Sequence, residues 1–358
     1  MRYYHLKIYD GVTGRVWSVG NSGDFALGSA RTSFSSQRPD GSYNSSALNI
    51  ELDMPVYPFN TPQGKAVVRV WGVPLLALSH AANLNGALFE LRGGMTTGLP
   101  LANPAQAGLL VKGQIFQAFG NWQGVNQTLD LVLFPSAAAE QLDIAFQWNP
   151  GEPLSTALSA TFAQAFPGFS ASVAVSENLT TRTPERGHWT TLAQFAKYVN
   201  RVTRVIGQKA LGASYGGVYI TVQGTTVQAF DSVGTVRPVV KQLAFQDFIG
   251  QPTWIGPTTI NYKNVMRADL AVGSYVLFPT GIISPYAITT AAAAYPNTPA
   301  RTKTIFNGKF QIIEIHHFGN FRQADPDSWV TTFSATADLN VAPQYIAGPN
   351  VAVLRGVA

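Results

Sequence analysis

Two stretches far apart in the chain share one pattern, and that pattern limits the folds open to it. The first is Gly113-Gln-Ile-Phe-Gln-Ala-Phe119-Gly120-Asn121-Trp122, followed by the apolar run Thr128-Leu-Asp-Leu-Val-Leu-Phe134. The second is Lys309-Phe-Gln-Ile-Ile-Glu-Ile-His-His-Phe318-Gly319-Asn320-Phe321, followed by Trp329-Val-Thr-Thr-Phe333. Each reads as a strand, then Phe-Gly-Asn-aromatic, a polar loop and a return strand. Gly-Asn suits a turn that needs positive φ, so the spacing predicts a β-hairpin at each place. Because each hairpin ends a β-rich stretch, the expected architecture is a duplication: two related modules in one chain.

Other strand signals fit two such modules. Ala47-Leu-Asn-Ile-Glu-Leu-Asp-Met54 alternates apolar and polar residues, and Lys65 to Trp71 and Ala87 to Arg92 are rich in β-branched or aromatic residues. Pro74 to Ala82 reads as a short helix between two of these strands. Residues 45–135 are therefore expected to form a small antiparallel barrel or strongly bent sheet. The pattern resumes from about 243, through Tyr275 to Phe278 and the closing hairpin, with an Ala/Thr/Pro-rich excursion over 282–304.

The middle differs. Pro153 sits at the start of an amphipathic segment ending at Pro167, with Leu154, Ala157, Leu158, Phe162 and Ala165 on one face. Thr191-Leu-Ala-Gln194 has capping-box spacing and opens a second helix, whose stripe is Leu192, Phe195, Val199, Val202, Val205 and Ile206. The fold class expected is β-rich α+β: two related tube-like antiparallel β-barrel modules with an α+β module between them. The expected boundaries are 1–140 for the first module with its N-terminal extension, 141–240 for the α+β module, 241–340 for the second barrel and 341–358 for a C-terminal arm.

Composition narrows the function. Charged residues are 12% of the 358, about half the usual share, while hydrophobic residues are an ordinary 46%. Aromatic content of 11% is too high for a disordered chain, and a net charge of +5 is too small for a free-standing basic nucleic-acid binder. A large, weakly charged surface points to a protein covered by partners. With no cysteine, disulfides, thiol nucleophiles and Cys-based metal sites are excluded. No apolar run reaches the roughly 18 residues needed to span a bilayer, and no signal peptide is evident at Met1 to Lys7. The expectation is a soluble product made in the cytoplasm.

Catalytic signatures are missing. Gly212-Ala-Ser214-Tyr-Gly216 spells the nucleophile-elbow pattern, but helix precedes it and strand follows, the reverse of an elbow. His316 and His317 are neighbours on a strand and so point to opposite faces; Glu314 and His316 share a face but are too few to hold a metal. His80 reads as a helix-end residue and Asp325-Pro-Asp327 as a turn. No P-loop, dinucleotide fingerprint, zincin motif or calcium loop occurs. Arg182, Arg186, Lys197, Arg201, Arg204 and Lys209 form one basic concentration, read as a solvated face. No enzyme activity and no cofactor are expected.

The C-terminal half also carries Phe245-Gln-Asp-Phe-Ile-Gly-Gln-Pro-Thr-Trp254 and Val265-Met-Arg-Ala-Asp-Leu-Ala-Val-Gly273 ahead of the closing hairpin. This order resembles the baseplate hub proteins of contractile-tailed, Mu-like bacteriophages, a family that includes late-control tail proteins and the hub part of type VI secretion spikes. The run from Ala47 through Leu99-Pro-Leu-Ala-Asn-Pro104 to Trp122 is similar to hub proteins of Mu-like phages. The resemblance implies a homotrimer whose six tube-like barrels form a pseudo-sixfold ring between a sixfold tail tube and a threefold central spike. It implies wedge and tape-measure components as further partners, no membrane, and DNA only as cargo in the channel. It places the protein in the virion tail baseplate, assembled in the bacterial host cytoplasm. Phe119, Gly120, Asn121, Trp122, Phe318, Gly319, Asn320 and Phe321 are the residues expected to serve assembly. No β-helical spike or lysozyme-like pattern is read after the second module, so the spike is expected to be a separate protein. Alternatives are another tail structural protein (tube or distributor), a tail-associated cell-wall hydrolase, and a carbohydrate-binding receptor module.

Overall fold

The computed structural model describes residues 1–19, 24–27, 34–61, 65–97, 103–134, 143–212, 215–224, 226–233, 240–256, 259–279 and 309–337. In the first part, the strands are β1 (Arg2–Tyr9), β2 (Val16–Val19), β3 (Phe25–Leu27), β4 (Asn49–Val56), β5 (Ala66–Trp71), β6 (Leu88–Met95), β7 (Gly108–Gln123) and β8 (Asn126–Phe134), with helix α1 (Leu75–Ser79) after β5. The middle holds β9 (Ile144–Trp148), α2 (Leu154–Ala165), β10 (Ser170–Ala174), β11 (Glu185–Trp189), α3 (Leu192–Ala210), β12 (Tyr219–Gln223) and β13 (Thr226–Phe230). The last part holds β14 (Val240–Gln242), β15 (Thr253–Trp254), β16 (Thr259–Val265), β17 (Tyr275–Leu277), β18 (Lys309–Asn320) and β19 (Trp329–Ala337). The fold is β-rich α+β.

The duplication is explicit in strand order. The large sheet runs β15-β16-β19-β18-β4-β5-β8-β7-β6-β1-β2-β3, with β17 alongside β18 and β14 alongside β17. Within it one antiparallel four-strand unit occurs twice in the same order: β15-β16-β19-β18, then β4-β5-β8-β7. In both, a further strand pairs with the first half of the long strand, β17 on β18 and β6 on β7. Both long strands carry a register shift before the repeated motif, between Ile115 and Gln117 and between Ile312 and Glu314. Such bulges increase local twist and help bend a long strand round a core.

Both units contribute to one buried cluster. Tyr4, Leu52, Val68, Phe89 and Leu131 from the first part and Ile260, Tyr262, Ile312 and Phe333 from the last belong to a single buried cluster. Tyr262 stacks on Phe333 with ring centroids 5.0 Å apart. The units are joined by β18 and β4, which form a ladder from Ile315↔Val56 to Asn320↔Glu51.

The middle segment has its own core, built on Phe146, Trp148, Leu158, Phe162, Phe195, Val199 and Ile220. Its strands form two small sheets, β10-β13-β12 and β11-β9. Pro153 lies one residue before α2 and not in its first turn, extended at φ −62° and ψ 136°. Half of the expected capping box forms. The Thr191 hydroxyl accepts the Gln194 N–H at 3.3 Å, while the Gln194 side chain accepts from Thr190 instead of reaching back. Thr191→Ala is expected to destabilise the α+β module by about 1 kcal/mol, read as a lower urea midpoint with unchanged m.

The stripe of α3 departs from expectation in its second half, where Val205 is 55% exposed and Thr203 and Gly207 are buried instead. Tertiary contacts explain this. The Tyr215 ring lies where a Cβ on Gly207 would sit, and the Thr203 hydroxyl accepts the Val218 N–H at 3.0 Å.

Further differences concern the ends. β1 pairs along its whole length with β6, although strand signals in the sequence began only near Ala47. Residues 34–44 connect β1 to the start of β4: the Leu6 N–H donates to Phe34 O at 2.8 Å, the Ser36 N–H to Tyr4 O at 3.0 Å, and the Tyr4 hydroxyl to Leu48 O at 2.5 Å. The 282–304 excursion, the C-terminal arm and Ser214 of the elbow-like motif lie outside the described residues.

Candidate assembly surface

The repeated Phe-Gly-Asn does not make a turn. It lies inside β7 and β18, and neither Gly120 nor Gly319 has positive φ; the tight turn of the first hairpin is at Gly124, φ 60°. Glycine is required for close approach instead. A Cβ on Gly120 would lie 2.7 Å from Leu78 Cβ and O, and one on Gly319 would lie 2.7 Å from the Trp329 indole. In one repeat α1 packs over the strand at Gly120; in the other the indole of Trp329, the cross-strand partner of Gly319 on β19, lies over the glycine.

The phenylalanines keep their equivalence and the last aromatics do not. Phe119 is 40% and Phe318 46% exposed, both on the solvent face of the sheet. Trp122 is 62% exposed, its indole N–H donating to Gly124 O at 2.8 Å. Phe321 is buried edge-on to Tyr4, with centroids 4.9 Å apart. The two motifs are four strand steps apart and do not touch each other.

The two asparagines end one polar relay that crosses the sheet. Asn121 Nδ2 donates to Asp130 Oδ2 at 2.7 Å, and Arg69 Nε donates to Asp130 Oδ1 at 2.5 Å. Arg69 also lies 4.0 Å from Glu51, whose Oε1 accepts from Asn320 Nδ2 at 2.9 Å. Asp130 is buried, so both partners are needed to offset its desolvation. Beside the relay, His316 Nε2 lies 2.6 Å from Asp53 Oδ1. These side chains are spread over five strands, which is why linear sequence did not group them.

The loop after β18 is pinned. The Arg2 guanidinium donates to the carbonyls of Asn320 (2.9 Å), Asp325 (2.7 Å) and Gln323. Asp325 caps the following single turn by accepting the Asp327 N–H at 2.8 Å. The loop after β16 is closed by Arg267, whose side chain is 1% exposed and whose Nε and Nη2 donate to the two oxygens of Asp269 at 2.6 and 2.7 Å. Burial alone would raise the Asp269 carboxyl, but Arg267 and Lys241 outweigh it and hold it below the usual carboxylate range.

The other residues noted in sequence take structural places. His80 is the C-cap of α1 and bonds Asp24 at 2.8 Å. His316 is half-buried and His317 buried, on opposite faces. Of the basic concentration, Arg201 lies over the Tyr198 ring, 5.8 Å from its centroid. Among the described residues, no cluster of three or more His, Asp or Glu is placed to hold a metal, and no helix is long and apolar enough to cross a membrane.

No family model and no curated protein matches this sequence. Among the solved structures that this chain is similar to in fold are the following three. A tail protein from Neisseria meningitidis MC58 aligns over 94% of this chain and 96% of its own, at 10% identity and a TM-score of 0.45. The 43 kDa tail protein of prophage MuSo2 from Shewanella oneidensis aligns over 94% and 99%, at 9% identity and 0.48. A Francisella PdpA–VgrG complex aligns over 95% of this chain and 58% of that one, at 7% identity and 0.42.

Proposed function

We propose that this protein is the hub of a contractile-tail baseplate, a structural trimer that converts the sixfold symmetry of a tail tube to the threefold symmetry of a central spike. The observation that carries this reading is the head-to-tail repetition of one four-strand unit within one sheet. The operation that takes β15-β16-β19-β18 onto β4-β5-β8-β7 is heterologous: a different edge meets each neighbour. Repeating a heterologous contact generates a ring where the rotation closes. A chain with two such units supplies two sixths of a pseudo-sixfold ring, so three copies complete it; the trimer itself comes from the resemblance to hub proteins.

Spacing gives the ring a size. Six units of four strands, at about 4.8 Å between strands, give a perimeter of about 115 Å and a diameter of about 37 Å, wider once strands tilt. The relay face carrying Phe119, Arg69, Glu51 and Phe318 is the bare one, while the cores, β6, β1 and the α+β module lie behind it. A ring closes with bulk outside, so the relay face lines the channel. The role is scaffolding and symmetry matching, without catalysis.

Light scattering on the purified chain tests the reading, with a mass of three copies as the expected result. A chain that stays monomeric at micromolar concentration, and is missing from purified tail particles, overturns it.

A further inference from the structure

The basic concentration of the middle segment becomes, on α3, a face that the chain itself does not neutralise. The helix carries Lys197, Arg201, Arg204 and Lys209 and has no carboxylate in its 19 residues. Residues 186–230 as a whole contain no Asp or Glu. All four cations are exposed, and none makes an ion pair among the described residues. The two carboxylates that bracket this stretch are engaged elsewhere. Glu185 accepts the Tyr198 hydroxyl, and the buried Asp231 accepts the Ser176 N–H at 3.0 Å and the Tyr215 hydroxyl at 2.9 Å. A helix face that only meets water commonly mixes signs through i,i+4 pairs, and this one does not.

The arrangement is regular. Lys197, Arg201, Arg204 and Gln208 follow one another at i, i+4, i+7 and i+11, a row about 16 Å long on one side of the helix. Beside the row stands Val205, 55% exposed, with Arg201 and Lys209 one turn before and after it. Val202 and Ile206, half-buried at the rim of the module's core, continue the apolar strip inward from Val205. An aliphatic side chain among unpaired cations is the complement of an aliphatic residue flanked by carboxylates. Two other occupants fit less well. The rest of the apolar stripe, Leu192, Phe195, Ala196 and Val199, is buried in the module, which leaves too little apolar surface to enter a lipid interface. A phosphate backbone has no use for the exposed valine, and a net charge of +5 gives little of the field that nucleic-acid binders carry.

We propose that this face of α3 is a docking surface for an acidic amphipathic segment of a partner protein, with carboxylates on Arg201, Arg204 and Lys209 and an aliphatic side chain on Val205. The face belongs to the α+β module, so the inference stands apart from the ring reading. It also gives a role to an apolar residue that the helix's own module leaves uncovered. Ion pairs at so exposed a surface set orientation and rate of encounter more than raw affinity, and binding weakens as salt is raised.

Fluorescence anisotropy on the full chain tests this. The probe is a labelled, alanine-based helical peptide with a central Leu and a Glu one turn to each side of it. It should bind saturably and less tightly as salt is raised, while its counterpart with Lys in place of Glu should not bind. Arg201→Gln together with Arg204→Gln should weaken binding about tenfold or more, and Val205→Gln should weaken it without changing the salt dependence. All three positions are exposed and Gln is a good helix former, so circular dichroism and urea midpoints should stay close to the parent. A peptide that binds no better than its Lys counterpart, or binds the variants as tightly as the parent, overturns the proposal. Tighter binding of duplex DNA or of phosphatidylglycerol vesicles, abolished by the same substitutions, also overturns it, because the face would then read phosphate and not carboxylate.

Discussion

Replacing Arg267 with alanine is expected to cost about 3–5 kcal/mol of folding free energy, the usual penalty for breaking a buried ion pair by removing one partner. The guanidinium is 1% exposed and holds Asp269 by two hydrogen bonds, with Asp247 3.5 Å away. Lys241 reaches Asp269 at 3.1 Å from β14, and Gln106 from the first part reaches Asp247 at 2.7 Å. Removing the cation leaves two carboxylates in a confined space, with one half-exposed lysine on Asp269. The cluster also ties the loop after β16 to both halves of the sheet, so the loss should appear as a single lowered urea transition. Arg267→Lys keeps the charge and gives up the two-pronged geometry, so its cost should fall between parent and alanine. An alanine variant within 1 kcal/mol of the parent would show that the cluster is dispensable.

The second large effect is a loss of stability on acidification, and it comes from His317. The ring is 3% exposed, Nδ1 lies 3.0 Å from Thr331 Oγ1, and burial together with the neighbouring His316 pushes its pKa down to about 3. In the unfolded chain the same imidazole takes up a proton near its ordinary 6.5. Below that pH the unfolded state binds the extra proton, and the native state declines it until about 3. The contribution is therefore complete above pH 6.5 and is lost progressively as pH falls towards 3. The slope approaches about 1.4 kcal/mol per pH unit, a total of about 5 kcal/mol. His317→Gln removes the titration, so the parent should lose stability faster than the variant between pH 6.5 and 4. Parallel urea midpoints across that range would mean that His317 protonates freely in the native state.

How far sequence could reach depended on the range of the interactions involved. Alternation at Ala47 to Met54 marks β4 because one face of that strand is buried and the other is wet, a property of the strand alone. The hairpin repeat was visible because both arms lie within about twenty residues. The role of its glycine was misread as a turn. The atoms that exclude a side chain at Gly120 and Gly319 belong to Leu78 and Trp329, whose positions only packing sets. β1 was missed although Tyr4, Leu6 and Ile8 alternate with His5 and Lys7 and are buried in that alternation; the run is short, and its partner, β6, lies some eighty to ninety residues on. The exposed Val205 in α3 has the same origin: helical period gives a stripe, and Tyr215 decides which side of it is covered.

By itself the sequence determined the β-rich class, the helices of the middle segment, the duplication and the absence of cysteine chemistry. These follow from local period, composition and spacing, which a chain carries whatever its tertiary contacts. Only the tertiary structure decided that the two units continue one sheet, that β18 meets β4, and that the repeated Phe-Gly-Asn lies within strands instead of at a turn. Strand pairing depends on hydrogen bonds between residues up to about 270 positions apart, such as Asn320 and Glu51, and no local pattern encodes which edge will meet which.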